Sequence, residues 1–405
     1  MTCIAMNLLF VYPHAILPHR GGTERVAYTV ANALRACGHQ VWFMATKSGK
    51  ADAYLAENPD YILIDETFSP ENRKQTVIRI CAQLKIDAII NEGGEFEDFA
   101  IFSNEVLPGV KIITCLHFDV YGEIKYFRRE EHFHNLTTSR IKRFFIEAMT
   151  CIGIDPYRIK FYLAKRRQFR QMLQVSDAVV VVTPIIAQQL KQITGTNSPK
   201  IVSILNPVPF ADLLPVYDDS AKEKSLLYVG RFSPDKNVDK ILQAWAHLAP
   251  QYPDWKLEIA GDGEMRNALH NLAQQMQIPR VQFHGQVQDV RPLYNRAEYV
   301  LLASDCESFS CVVMEGFLHG CYPIVFDYPS APVVIPDAGI GTIVKYHRVS
   351  ALAKAISKAL DRGHTNRHNL PILEKHLNRF SMYKLAPTWE KLLQKLCSTS
   401  VSPET

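Results

Sequence analysis

Short apolar runs, most of them unbroken by polar residues, recur along the chain at intervals long enough to hold a helix. In the first part they are Leu8-Leu9-Phe10-Val11, Val41-Trp42-Phe43-Met44-Ala45, Tyr61-Ile62-Leu63-Ile64, Ala88-Ile89-Ile90 and Val110 to Leu116. Between them the apolar positions change period. Val26, Val30, Ala33 and Leu34 follow helical spacing that Gly38 closes, and the stretches 72–84 and 97–106 are amphipathic in the same way. Strands that are apolar throughout are buried on both faces, so this alternation predicts a parallel sheet covered by helices on each side. Ligands of such sheets sit beyond the carboxyl ends of the strands. The Gly21-Gly22 loop after the first strand and His117 after the Val110 run both fall at that end.

The pattern then repeats. Asp177 to Thr183 and Lys200 to Leu205 read as strands, and Asn206-Pro207-Val208-Pro209 as a stiff connection. Pro and Asp are frequent from there to Glu223, which sets the expected boundary between domains 1–208 and 209–378. The second unit alternates apolar runs at 225–230, 256–260, 281–285, 299–303, 322–326 and 339–344 with helical spacing over 237–249, 264–276 and 350–360. Met382 to Leu396 is helical with no strand after it, so residues 379–405 are expected to cross back onto the first domain. The fold class is α/β: two Rossmann-like domains facing across a cleft. A chain of 405 residues is long for one core and agrees with two.

Composition narrows the class without changing it. With 47% apolar and 21% charged residues the chain is ordinary globular protein, and disorder is expected only from Ser398 to Thr405. No apolar run reaches the length of about 18 that spans a bilayer, and no basic region leads into a long apolar segment at the start, so neither a membrane span nor secretion is expected. Nine scattered cysteines without a CxxC pair read as reduced thiols of a cytosolic protein.

The net charge of +4 is local: residues 123–170 hold twelve Lys or Arg against five Asp or Glu, leaving the rest of the chain net negative. Aromatics interleave with these bases, as in Phe127-Arg128-Arg129 and Lys142-Arg143-Phe144-Phe145, and Asp155-Pro156 divides the insert into two helices. Such a segment suits either a solvated helical pair or an anionic membrane surface. It carries no groove-reading or stacking module, and no nucleic-acid partner is expected.

The stretch richest in chemistry follows the run at 299–303. Cys306-Glu307-Ser308-Phe309-Ser310-Cys311-Val312-Val313-Met314-Glu315-Gly316 is a loop entering a helix that Ser308 or Ser310 can cap and that ends near Gly320. A helix start offers free N–H groups and the positive end of a dipole, which suits a phosphate. Glu307 in the loop and Glu315 in the second turn flank that anion site with carboxylates that accept hydrogen bonds from sugar hydroxyls. Arg231 and Lys236 follow the strand at 225–230 and supply cations for a diphosphate. Gly261-Asp262-Gly263 is not a dinucleotide fingerprint, because its third glycine position holds Arg266. No Asp-x-Asp is present to hold a diphosphate through a metal, so the expected metal ligands are none.

Taken in order, Gly21-Gly22-Thr23-Glu24, His117, Asn206-Pro207-Val208, Gly230-Arg231 with Lys236, Gly261-Asp262-Gly263, His284-Gly285, and Glu307 with Glu315 ahead of Gly320 and Pro323 form one set. Over nearly the whole chain this set resembles the retaining GT-B glycosyltransferases of family 4, including those that build bacterial surface polysaccharides. The resemblance implies that Arg231 and Lys236 bind a donor diphosphate, Glu315 the ribose and Glu307 the hydroxyls of the transferred sugar. Amides of Phe309, Ser310, Cys311 and Val312 would face phosphate and sugar, residues around Val287 would meet the base, and Gly21 and Gly22 would close over the donor. His117 would bind the sugar near its reacting face, completing a catalytic set with Glu307, Arg231 and Lys236.

The same resemblance implies a metal-independent hexosyl- or N-acetylhexosaminyltransferase without a cofactor. Its donor would be a nucleotide sugar, a UDP-sugar in preference to a GDP-sugar. Its acceptor hydroxyl would belong to a glycan or lipid-linked glycan in cell-surface polysaccharide or glycolipid synthesis. The protein would be cytoplasmic and peripheral at the membrane through 123–170. Ser308-Phe309-Ser310-Cys311 departs from the family's pattern, which has Gly or Pro after the Phe, and marks the loop where sugar identity is read. The alternative is a non-catalytic sugar-nucleotide-binding or scaffold protein on the same fold. The intact set of Arg231, Lys236, Glu307 and Glu315 argues against it.

Overall fold

The computed structural model describes residues 4–17, 21–48, 58–65, 67–94, 101–125, 155–208, 221–363 and 370–398. The expected linker from Pro209 to Ser220, most of the basic insert (126–154) and the end of the chain lie outside the described residues.

The amino-terminal half runs β1 (Asn7–Tyr12), α1 (Gly22–Ala36), β2 (Gln40–Ser48), β3 (Tyr61–Asp65), α2 (Pro70–Gln83), β4 (Ala88–Asn91), β5 (Lys111–Leu116), α3 (Gly122–Lys125), α4 (Pro156–Val175), β6 (Ala178–Val181), α5 (Pro184–Thr194) and β7 (Ile201–Ser203). All strands pair in parallel in the order β3-β2-β1-β4-β5-β6-β7. Leu8, Leu9 and Phe10 of central β1 are fully buried, as an unbroken apolar strand between two helical layers requires. Helix starts follow local chemistry. Ser69, Asp155 and Thr183 each accept a backbone N–H in the first turn, with Pro set just inside.

One expectation fails. Of the helix expected over 97–106, the described residues 101–106 form turns. Ser103, Asn104 and Pro108-Gly109 favour turn geometry, and Gly109 takes a φ of +87°. Ile101, Phe102 and Leu107 still bury themselves beside Val77 and Ile112, so the apolar spacing reports burial and not helix.

The second half runs β8 (Glu223–Val229), a single 3-10 turn at Pro234–Lys236, α6 (Val238–Leu248), β9 (Lys256–Ala260), α7 (Arg266–Gln275), β10 (Val281–Gly285), α8 (Arg291–Arg296), β11 (Ala297–Leu302), α9 (Cys311–Leu318), β12 (Tyr322–Phe326), α10 (Ala331–Val334), β13 (Thr342–Val344), α11 (Val349–Arg362), α12 (Leu370–Asn378) and α13 (Met382–Ser398). The six strands are parallel in the order β10-β9-β8-β11-β12-β13. The short helices α8, α10 and α12 carry too few residues for their period to stand out in the sequence.

A shared apolar cluster and a returning helix join the halves. Leu116, Phe169, Val181 and Ile186 of the first share an apolar cluster with Phe309, Val313, Phe317 and Phe380 of the second. Helix α13 returns to the amino-terminal sheet, where Leu385, Trp389 and Leu393 pack with Phe10, Val30 and Ile204. Its Glu390 bonds His39 Nε2 at 2.7 Å, while His39 Nδ1 accepts the Met6 amide at 3.1 Å.

Candidate active site

The carboxyl ends of both sheets meet at the cleft. On the second domain β8 ends in Gly230-Arg231, and the loop is held by the turn at Gly261-Asp262-Gly263. Phe232 N donates to Asp262 O at 2.8 Å and Met265 N to Phe232 O at 2.9 Å. Gly261 has φ +143°, and a Cβ there would fall 1.8 Å from Gly230 O, so only glycine fits. This glycine pair therefore holds the Arg231 loop in place by backbone contact.

Lys236, at the end of the 3-10 turn, donates from Nζ to Glu307 Oε1 at 2.7 Å. Burial opposes the charge on Lys236, but Glu307 and Asp235 more than offset it and raise the ammonium above its ordinary value. Arg231 is exposed, and among the described residues its guanidinium makes no ion pair. It acts on Tyr12 at the end of β1. The Tyr12 phenol is pushed up to about 12, chiefly by burial and then by Glu24 and Glu92, with Arg231 pulling it down. Arg231 therefore lies near enough to the end of β1 in the first domain for its charge to be felt there.

Ser310, and not Ser308, caps α9: its hydroxyl accepts the Val313 amide at 3.3 Å. Ser308 Oγ instead donates to the main-chain oxygen of His117 in the other domain. The Phe309 ring is buried in the shared cluster, 5.5 Å from the Phe380 ring, so only its backbone is available to a ligand. Val312 of α9 and Val287, the expected base-contacting residue, both pack against the apolar cluster that holds Leu293 and Tyr294. A Cβ on Gly22 would lie 3.6 Å from Cys311 Sγ, so the starts of α1 and α9 meet. Burial first, and then Glu315, pushes the Cys311 thiol up to about 12, so it is no nucleophile at neutral pH.

Glu315 is 1% exposed and is paired with Arg25 of α1, while Tyr294 Oη donates to its second oxygen at 2.8 Å. Burial raises the Glu315 carboxyl above its usual range, against the pull of Arg25 and Tyr294. Arg25 was not among the residues singled out in the sequence, although it stands one turn into the helix that the glycine pair opens.

His117 directly follows β5, and its Nε2 lies 2.5 Å from Glu92 Oε2. Glu92 follows β4 and is 3% exposed. With Cys115 these residues offer ligand atoms within 4.8 Å of one another. Two donors on a shared tetrahedral zinc at bond lengths of about 2.0–2.2 Å stand roughly 3.3 Å apart, so the His117–Glu92 separation is that of a hydrogen bond. Glu92 escaped the sequence reading; its signal is a carboxylate at a strand end followed by Gly93-Gly94. The larger surface depression, lined by Glu223, Lys256 and Val281, lies at the amino ends of β8, β9 and β10, away from this chemistry.

Two family models match consecutive parts of the chain: Glycosyltransferase Family 4 over residues 20–211 and Glycosyl transferases group 1 over residues 215–371. The chain belongs to the family 4 glycosyltransferases. An uncharacterized glycosyltransferase of Haemophilus influenzae is 26% identical to this transferase over 347 residues, 83% of this chain and 86% of that protein. A Campylobacter jejuni enzyme, a diNAcBac-PP-undecaprenol-glycan alpha-1,4-N-acetyl-D-galactosaminyltransferase, is 28% identical over 49% of this chain and 55% of its own. A Streptomyces coelicolor exopolysaccharide phosphotransferase is 30% identical over 56% of this chain but only 24% of its own length. Among solved structures, the pneumococcal O-GlcNAc transferase with UDP and GlcNAc superposes at TM-score 0.72 with 13% identity, covering 97% of this chain and 99% of that one. Sucrose-phosphate synthase of Thermosynechococcus elongatus gives 0.74 with 18% identity over 98% and 100%. The glycosyltransferase has the GT-B fold.

Proposed function

We propose that this glycosyltransferase moves a sugar from a nucleotide-sugar donor to an acceptor hydroxyl with retention of anomeric configuration. The reading is carried by one arrangement: the Lys236–Glu307 pair beside the Ser310-capped start of α9, with Glu315 one turn in. Cations and helix-start amides suit a diphosphate, and carboxylates on either side of them suit the hydroxyls of sugar and ribose. On binding, Glu307 exchanges Lys236 for sugar hydroxyls, and Lys236 turns with Arg231 to the diphosphate. The bond from the anomeric carbon to the phosphate oxygen breaks, and both cations take up the charge that develops. The acceptor oxygen bonds the same face of that carbon and its proton passes to the leaving phosphate. No protein nucleophile and no metal enters this scheme. A UDP-sugar is the proposed donor, with Val287 and Val312 beside the base.

The acceptor we propose is a lipid-linked glycan in bacterial polysaccharide or glycolipid synthesis. The Campylobacter relative, named for an undecaprenol-linked acceptor, supports this. So does α4, where Ile159 and Leu163 are 48% and 53% exposed one turn apart and exposed Arg158, Lys160 and Arg167 surround them. Such a face suits an anionic bilayer surface on the cytoplasmic side. No helix of the described residues is long and apolar enough to cross a membrane.

The test is a panel of UDP-, GDP- and ADP-sugars scored by thermal stabilisation and by hydrolysis or transfer, with NMR of the product's anomeric centre. A nucleotide sugar that stabilises the protein and yields a retained product supports the reading. A stabilising nucleotide with no turnover under any acceptor would favour a binding or scaffold role.

A further inference from the structure

Glu92 sits where no ordinary requirement of the fold puts a carboxylate. Its side chain is 2% exposed, and its neighbours in the small pocket under α1 are mostly apolar: Val26, Val30, Val180, Val182 and Trp389. The turn that presents it is tightly built. Glu92 N donates to Val11 O at 2.9 Å, Gly93 N donates to Asn91 Oδ1 at 3.0 Å, and a Cβ on Gly94 (φ +60°) would crowd Cys115 O at 3.1 Å. The carboxylate meets His117 Nε2 at 2.5 Å, with the buried Cys115 thiol within 4.8 Å. A buried carboxylate so placed is an acceptor only, so the ring nitrogen facing it carries the proton. The other nitrogen, His117 Nδ1, is buried and has no hydrogen-bond partner. A proton there would be a buried N–H without an acceptor, which costs the full desolvation of that group.

We propose that Glu92 is a positioning residue that holds His117 as the Nε2–H tautomer, leaving Nδ1 as a bare acceptor for a substrate hydroxyl. This rests on the reading of His117 as substrate-facing and deepens it. A ring held this way accepts from an O–H of sugar or acceptor and is mismatched to a phosphate or carbonyl oxygen, which also only accept. His117 then orients the reacting sugar and does not donate to the leaving diphosphate.

Nitrogen-15 NMR of the imidazole rings in the full, ligand-free chain at pH 8 reads this directly, with His117→Asn identifying the resonances. Nε2 is expected protonated and Nδ1 bare. Glu92→Gln keeps an acceptor oxygen and is expected to keep the tautomer and most turnover. Glu92→Leu is expected to give mixed tautomers and a kcat lower on the order of tenfold to a hundredfold, with a smaller change in donor KM. Should the Leu variant fail to fold, the wild-type spectrum and the Gln variant decide. A protonated Nδ1 in the wild type, or a folded Leu variant turning over at the wild-type rate, overturns the proposal. A protein with the expected tautomer that binds and transfers no nucleotide sugar overturns the proposed function and leaves the ring assignment standing.

Discussion

Arg25, in the first domain, is ion-paired with Glu315, in the second, although 290 residues separate them. Both are largely removed from water, at 17% and 1% side-chain exposure. The carboxylate proposed for the donor ribose is thus held by a cation of the opposite domain in the ligand-free protein. A ribose that engages Glu315 must share it with Arg25 or displace it.

Removing one partner of a buried pair leaves an uncompensated charge, at a cost of about 3–5 kcal/mol. Arg25→Met is therefore expected to lower the melting temperature markedly, and Glu315→Gln likewise. The double variant is expected to lose less than the sum, with a coupling on the order of 1–3 kcal/mol in a double-mutant cycle. Additive losses in denaturant melts would show that the two groups do not act on each other.

Arg231 gives the cleanest probe of the proposed diphosphate site because it is exposed and makes no ion pair among the described residues. Arg231→Ala is expected to change stability by no more than about 0.5 kcal/mol while lowering kcat on the order of a hundredfold. Lys236→Ala strands Glu307 and is expected to lose both stability and turnover. Steady-state rates beside thermal melts separate the two cases, and a wild-type rate in the Arg231 variant would remove it from the site.

Membrane contact through α4 depends on apolar as well as basic side chains. Ile159→Asp with Leu163→Asp is expected to abolish sedimentation with phosphatidylglycerol vesicles without changing the melt, because both side chains are exposed. Added salt is expected to weaken wild-type binding as it screens Arg158, Lys160 and Arg167. Equal binding to neutral vesicles would contradict an electrostatic role for that face.

Glu258, in β9, carries the clearest acid-dependent term in stability. Burial disfavours its charge, but Arg296 at 2.7 Å, Ser225 at 2.7 Å and the Lys256 ammonium at 3.6 Å outweigh it. Its carboxyl is lowered from 4.5 to about 2. A carboxylate depressed on folding stabilises above its unfolded value, and that contribution is lost as pH falls through the folded one. Stability is expected to decline between pH 4.5 and about 2 for this reason, and Glu258→Gln to flatten that part of a pH-dependent denaturation series.

The strands and the helix after each glycine or serine cap were legible because each is a local property. Unbroken apolar runs such as Leu8 to Val11 predict burial on both faces, and Ser310 ahead of Cys311 caps the start of a helix. The same local logic failed at 101–106, where spacing signalled burial but Pro108-Gly109 and their polar neighbours favoured turns.

The sequence by itself therefore determined two parallel-sheet units and their order, and it singled out Arg231, Lys236, Glu307 and Glu315 as the expected donor set, of which the structure pairs Lys236 with Glu307. Only the tertiary structure decided that Arg25 covers Glu315, that Ser308 bonds the His117 main chain, and that Glu92 holds the His117 ring. Periodicity encodes which face of an element is buried. It does not encode which charged group from another strand end or another domain that face meets, because that depends on how the two sheets close on their shared core.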